Sequence, residues 1–409
     1  MTRLMPRPSA LIMGLTNIPY GAYGAVTLIT VPQLLAARHV PEPTIAGITA
    51  AAMIPTFCGF LLAPILDVRF SRRSYALALG AVTAVVTFLA LCRLDNLAQL
   101  GGLLIGGFLA AFLFSSALGG WLGSVVPPVE SGRLAAGFTI GNIAGFGIGA
   151  ILFITLLRAF PGPLGAAMVG AGVAAPLALL ALIPQPDSER RGVHESFASL
   201  GGDLAALAKR PSVLRTLLLF CLPAASFALT NTLGGLGSDF GASERFVALV
   251  AGIGSTAAGI AGSLLIPKVI DRLAPRLTYL AIGTVGALFT LSILGMPKVP
   301  IVFAVALIGQ NLFQAAALVV ESTIIFRSIG EGNPLAATQF AFLWAASALP
   351  ITYMQAVDGY AYGSGGLAGM LMTDATLSLA ACAVLLPLVL WWRRGDRRAA
   401  VGPDTLAEA

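Results

Sequence analysis

The chain has 409 residues, 57% of them apolar and only 10% charged, with 24 Lys and Arg against 18 Asp and Glu for a net charge of +6. A water-exposed surface cannot be built from so few polar residues, so a soluble globular protein is excluded and the lipid bilayer is the chain's solvent. Apolar stretches long enough to cross a hydrocarbon core of about 30 Å recur from end to end, which predicts an all-α membrane protein.

Twelve spans are predicted, at 11–35, 45–66, 74–92, 100–126, 134–157, 164–183, 214–236, 246–270, 277–296, 301–325, 335–357 and 367–392. Arg3 and Arg7 precede the first, which lacks a small-residue cleavage site and reads as an uncleaved span rather than a signal peptide. On its helix Asn17, Tyr20, Gly24 and Thr27 share an arc of about 80°, a candidate cavity wall. Between the second and third spans, "APILDVRFSRR" gathers Asp67, Arg72 and Arg73. A carboxylate there can accept hydrogen bonds from an Arg or a helix N-terminus and hold one face shut; the alternative is that these charges only fix topology. The fourth span, "SSALGGWLGSVVPP", carries Trp121 and no acid, and the fifth, "GNIAGFGIGA", spaces small residues for close helix packing.

The longest polar stretch, 184–211, separates a six-span bundle (1–183) from a second (212–409) that ends in a short basic tail. Within this linker Phe197, Leu200, Leu204 and Leu207 fall at helical spacing and predict a short amphipathic helix on the membrane surface. "LLAPILDVRFSRRSYALALG" (61–80) returns as "LLIPKVIDRLAPRLTYLAIG" (264–283), pairing Asp67 with Asp271, Arg72 with Arg276 and Tyr75 with Tyr279. "GRLAAG" (132–137) and "NPLAAT" (333–338) echo each other before the fifth and eleventh spans. Two six-helix bundles repeated in parallel are a common design of secondary transporters.

In the tenth span Gln310, Gln314 and Glu321 form a polar stripe about 40° wide, which would be costly against lipid. Glu321 could exchange a proton as a cavity wets and dries, coupling a proton gradient to transport. Its alternative is to pair with Arg133 or Arg327 and hold helices together. Asp358 and Asp374 lie near the opposite interface, where acids are usually solvated or cap a helix; Asp374 is a second candidate for proton relay. "GIGSTA" resembles a dinucleotide loop but sits inside an apolar span, and phosphate-loop and nucleophile-elbow patterns are absent. Cys58, Cys92, Cys221 and Cys382 are scattered singly, and His39 and His194 stand alone, so neither disulfide nor metal site is predicted.

Five basic residues, Arg38, Arg93, Arg158, Arg245 and Lys298, fall on one side of the predicted spans, and the remaining 19 of 24 on the side of the termini. By the positive-inside bias both termini are cytoplasmic. The net charge is then mostly topology and asks for no nucleic-acid partner.

These features together resemble the major facilitator superfamily, over nearly the whole chain. The 2–3 loop resembles that family's G-x-x-x-D-R-x-G-R-[RK] pattern, with Ala63 for the leading Gly and Val68 for the Arg after the Asp. Ala337, Thr338 and Gln339 with the small and aromatic residues after them resemble the eleventh-helix pattern of the muropeptide permease and acetyl-CoA transporter branch, although no acid stands in the fourth span. The resemblance implies two pseudo-symmetric six-helix bundles, a substrate cavity faced by Tyr20, Trp121, Asn231, Gln310 and Gln314, with Asn17 and Gln339 as further candidates, and a cytoplasmic gate of Asp67, Arg72, Arg73, Asp271 and Arg276.

The function expected is secondary transport without enzyme activity: proton-coupled import of a bulky polar solute, muropeptide-like or siderophore-like, through a bacterial inner membrane. Only a proton gradient serves as cofactor, the partners are the solute and the bilayer, and the chain works as a monomer. Proton-driven efflux of lipophilic compounds is the alternative. A membrane receptor or an intramembrane enzyme is a minor one, because the acids are isolated rather than clustered at one depth.

Overall fold

Proline and glycine decide where the spans bend. The computed structural model describes residues 8–68, 70–183, 201–202, 205–207, 209–330 and 333–400, and every regular element among them is helical. Nine of these helices are long and apolar enough to cross a membrane, from Glu42–Asp67 to Ala336–Arg394. The last is two antiparallel spans joined at Gly366, whose φ of 60° and ψ of −157° break the helix in a region that glycine enters without Cβ strain. The first and seventh spans are crossings made of short pieces, which completes twelve.

The first span runs through Ala10–Leu15, Ile18–Ala25, Val26–Thr30 and Val31–Ala36. Pro19 and Pro32 lack the amide that would continue the ladder, and the turn before Pro32 widens to π geometry over Val26–Thr30. The predicted seventh span is not one helix. It stops at Cys221, runs through Pro223 and through Phe227 at φ 47°, and resumes as Leu229–Thr232 and Leu233–Phe240. Two of the freed carbonyls find donors elsewhere in the second half: the Tyr353 hydroxyl donates to Cys221 O at 2.8 Å, and the Cys382 thiol to Ala224 O at 3.4 Å. Irregular backbone at membrane depth is tolerated only where it is satisfied in this way.

Within the first half, the first and fifth spans pack backbone to backbone. A Cβ on Gly21 would meet the Asn142 carbonyl, and one on Gly137 the Leu11 carbonyl. Between the halves the second span packs on the eleventh and the fifth on the eighth, with Gly147 against Thr256 and Gly259 against Ile143. Of the predicted linker helix, Leu207 is buried; Phe197, Leu200 and Leu204 lie outside the described residues.

Replacing Gly21 or Gly137 by Val should destabilise the folded protein by about 1–3 kcal/mol, because the facing backbone cannot yield as a side chain could. Thermal unfolding in detergent should show a lowered midpoint for both, while Val at Gly106, where nothing approaches, leaves it unchanged.

Candidate functional site

The 2–3 connection meets the N-terminus of the eleventh span on the face where the first span begins and the twelfth ends. There the Asp67 side chain is only 1% exposed and accepts four hydrogen bonds. Arg72 Nε donates to Oδ1 at 2.8 Å and Ala337 N at 3.1 Å, while Thr338 N and Thr338 Oγ1 donate to Oδ2 at 2.9 and 2.8 Å. Both donor types favour a carboxylate: the guanidinium by charge, the first turn of a helix by its unpaired amides and dipole. Arg72 continues across the seam, donating to the Asn333 and Pro334 carbonyls at 2.9 and 3.1 Å. Arg73 instead lies over the Trp121 ring at 5.9 Å.

The repeat does not reproduce this contact. Asp271 is exposed, and Arg276 lies over Trp392 within the second half, 5.8 Å from the ring centre. At this second seam Arg327 bridges the halves, donating from Nε to Ser131 Oγ at 2.9 Å. Tyr279, the counterpart of Tyr75, points into the second half.

Above the Asp67 contact the seam is filled by aromatic rings. Phe138 of the fifth span meets Phe326, Phe340 and Trp344 edge-on at 5.5–6.1 Å, and Phe340 stacks on Trp344 at 5.8 Å. The fourth span admits them because it lacks side chains where they press: Gly119 faces the Phe340 ring, Gly120 the Ala337 backbone and Gly123 Phe326 and Ile329. The Trp344 indole faces the Tyr20 hydroxyl across the halves, and Tyr20 packs edge-on against Phe108. Sequence reasoning missed Phe138, Phe326, Phe340 and Trp344. Their signal was the i, i+4 spacing of Phe340 and Trp344 opposite a span reading Gly-Gly-Trp-Leu-Gly.

Of the predicted cavity residues, only Tyr20 joins this central cluster with its polar end. Asn17 is fully buried, and its Nδ2 donates to Phe138 O at 3.4 Å. Trp121 is 3% exposed under Arg73. Gln310 is fully buried and donates to Thr290 Oγ1 at 2.6 Å, so it faces the ninth span and not an open cavity. Gln339 is likewise enclosed, donating to Ser328 and accepting from Asn333 Nδ2 at 2.8 Å, and belongs to the contact at the closed face. Gln314 is partly exposed, and Asn231 is exposed beside the break in the seventh span.

Three buried acids remain, all in the second half. Glu321 is 4% exposed and faces the hydroxyls of Tyr279 and Ser347; its Oε2 has no partner among the described residues. It pairs with neither Arg133, which is exposed, nor Arg327, whose Nε is on Ser131. Asp358 and Asp374 are not solvated at an interface, as their positions suggest, but 0% and 4% exposed. The hairpin at Gly366 folds them toward each other, and both Asp358 oxygens and Asp374 Oδ1 lack partners among the described residues. Among those residues no cluster of His, Cys, Asp or Glu could hold a metal.

No family model matches the sequence, and no curated protein matches it. The fold, however, is similar to solved structures over nearly its full length. The human organic anion transporter MFSD10 (TETRAN) superposes with a TM-score of 0.68 at 16% identity, over 92% of this chain and 98% of its own. The major facilitator superfamily proton:xylose symporter XylE gives 0.69 at 15%, over 93% and 95%. The E. coli fucose:proton symporter FucP gives 0.67 at 17%, over 91% and 96%. The chain therefore has the major facilitator fold.

Asp67→Asn keeps the shape but removes the charge that Arg72 and the eleventh-span amides bind. The closed face should lose about 3–5 kcal/mol, the cost of breaking a buried ion pair. Spin labels on Ser74→Cys and Arg272→Cys, on opposite halves, should report a longer and broader distance in the variant; an unchanged distribution would remove Asp67 from the closing contact.

Proposed function

We propose that this protein is a proton-coupled secondary transporter whose halves rock about a midplane site, in a conformation closed on its basic, cytoplasmic face. The observation that carries the reading is the pairing of a fully bonded acid at the seam, Asp67, with buried acids that lack bonds in one moving half. The first holds a conformation. The others have somewhere to put a proton and no cation to replace it.

Glu321 is the coupling group in this reading, and Asp358 with Asp374 forms a second proton site toward the opposite face. A charge left at such depth without a counter-ion is costly, so Glu321 is held as the neutral acid here. Tyr279 and Ser347 keep it oriented. When the closed face opens, water reaches Glu321, about 12 Å from the end of its helix at 1.5 Å per residue, and the proton leaves.

The solute we propose is polar and ring-bearing, bound above the aromatic seal where Tyr20 and Trp344 offer a hydroxyl, an indole and ring faces. Muropeptide-like and siderophore-like compounds fit that description and the expected direction, import. The Ala337-Thr338-Gln339 resemblance supports the closing mechanism more than the solute, because all three residues are engaged at the closed face. The proton:sugar symporters among similar folds add pentoses and deoxyhexoses to the compounds worth testing.

Proteoliposomes should acidify when one solute from a panel of muropeptides, iron siderophores, sugars and cationic drugs is added. In Glu321→Gln, which keeps the size and both hydroxyl contacts, that flux should fall to background while solute binding persists. Flux equal to the parent's both in Glu321→Gln and in Asp358→Asn with Asp374→Asn would sink proton coupling through these acids. Flux driven outward by the drugs alone would replace import by efflux.

A further inference from the structure

Two buried side-chain amides, Asn333 and Gln339, hold the start of the eleventh span to the end of the tenth. Asn333, 6% exposed, donates from Nδ2 to the Ile329 carbonyl at 3.0 Å and to Gln339 Oε1 at 2.8 Å, while its Oδ1 accepts from Leu335 N at 3.0 Å. Gln339, fully buried, donates from Nε2 to the carbonyl and to the hydroxyl of Ser328, both at 2.9 Å. Ser328 and Ile329 are the last residues of the tenth helix, and Gln339 lies in the first turn of the eleventh, which begins at Ala336. Asn333 thus takes an orphan carbonyl at one helix end and meets an amide leading into the next. Every group that the second half offers to Asp67 and Arg72 falls between these two amides in the chain: the Asn333 and Pro334 carbonyls, the Ala337 and Thr338 amides and the Thr338 hydroxyl.

The first half has the same segment without the amides. Aligning "GRLAAG" with "NPLAAT" sets Gly132 against Asn333 and Phe138 against Gln339. Counted from that first pair, the fifth helix starts one residue earlier, at Ser131, and the eleventh starts three residues later, at Ala336. The difference decides which amides are free. Only the first four of a helix lack a partner in its own ladder, so the Ala337 and Thr338 amides are open to a carboxylate, whereas those of Ala136 and Gly137 at the matching places are not. Asp271, which would meet them, is exposed.

We propose that Asn333 and Gln339 are positioning residues for the closing contact: they set where the eleventh helix begins and hold it against the tenth, keeping free amides and carbonyls in place for Asp67 and Arg72. This rests on the rocking of the two halves proposed above. Gln339 then serves the closed face rather than the solute, and its loss loosens that face with Asp67, Arg72 and Thr338 all intact.

The test is the distance between spin labels on Ser74→Cys and Arg272→Cys in the full chain in lipid nanodiscs, with Cys58→Ser, Cys92→Ser and Cys221→Ser removing the exposed thiols. Gln339→Met keeps an unbranched side chain of similar length and leaves Ser328 and Asn333 without their partner; the separated population should rise about tenfold. Ser328→Ala, which removes one of the two oxygens that Gln339 binds, should shift it the same way by less. A residue that only packs would add its effect to that of Asp67→Asn. A positioning residue acts through Asp67, so Asp67→Asn with Gln339→Met should separate no further than Asp67→Asn alone. An unchanged distribution in Gln339→Met, or full additivity in the double variant, overturns the proposal and leaves the Asp67 contact standing. No separation in Asp67→Asn either would remove the closing contact itself, and the proposal with it.

Discussion

One buried carboxylate ties the two halves together at the seam. Asp67 sits where the second span ends in a tightly wound segment, Gly59–Asp67, and its four donors are of three kinds: a guanidinium, two first-turn amides and a hydroxyl. Three of the four belong to the opposite half, so satisfying this acid and joining the halves are the same event. The aromatic seal can then be largely apolar. Rings alone would hold the seam by burial without fixing its register, whereas hydrogen bonds to Ala337 and Thr338 fix which turn of the eleventh span meets the second.

The rocking we propose needs two rigid sides and a contact between them that can part. The glycines divide that labour. Within the first half Gly21 and Gly137 bring backbones so close that no side chain can enter, which makes the first and fifth spans one body. Across the halves Gly119, Gly120 and Gly123 present a smooth surface to Phe340, Ala337 and Phe326, with no interlocking side chain of their own to be withdrawn when the bodies part.

How much of this the sequence reveals depends on whether a property is one-dimensional. Span number and the repeat are, since hydropathy and local motifs need no neighbours, and the fold followed. The break in the seventh span is not, because hydropathy cannot register that Tyr353 and Cys382 will satisfy the carbonyls freed around Pro223. The stripe of Gln310, Gln314 and Glu321 has the angular width the helix wheel gives it. A wheel cannot say which neighbour the stripe meets, and for Gln310 the neighbour is Thr290 of the ninth span. The burial of Asp358 and Asp374 escapes the sequence for a related reason: each is close to a loop along the chain, but the turn at Gly366 brings the two together inside the protein.

The same repeat also shows that symmetry of backbone need not be symmetry of chemistry. Asp67 and Asp271 occupy matching places, yet one is saturated with donors from the other half and its counterpart is exposed, while Tyr279 has turned inward to Glu321. A lock on both seams would add stability to the closed state and oppose its opening. The two seams are instead held unequally, by four hydrogen bonds to a buried carboxylate at one and by the Arg327–Ser131 hydrogen bond at the other. A continuous set of contacts runs between the two acids' helices: the helix bearing Glu321 carries Ser328 in its last turn, Ser328 accepts from Gln339, and Gln339 follows directly on the Thr338 that donates to Asp67.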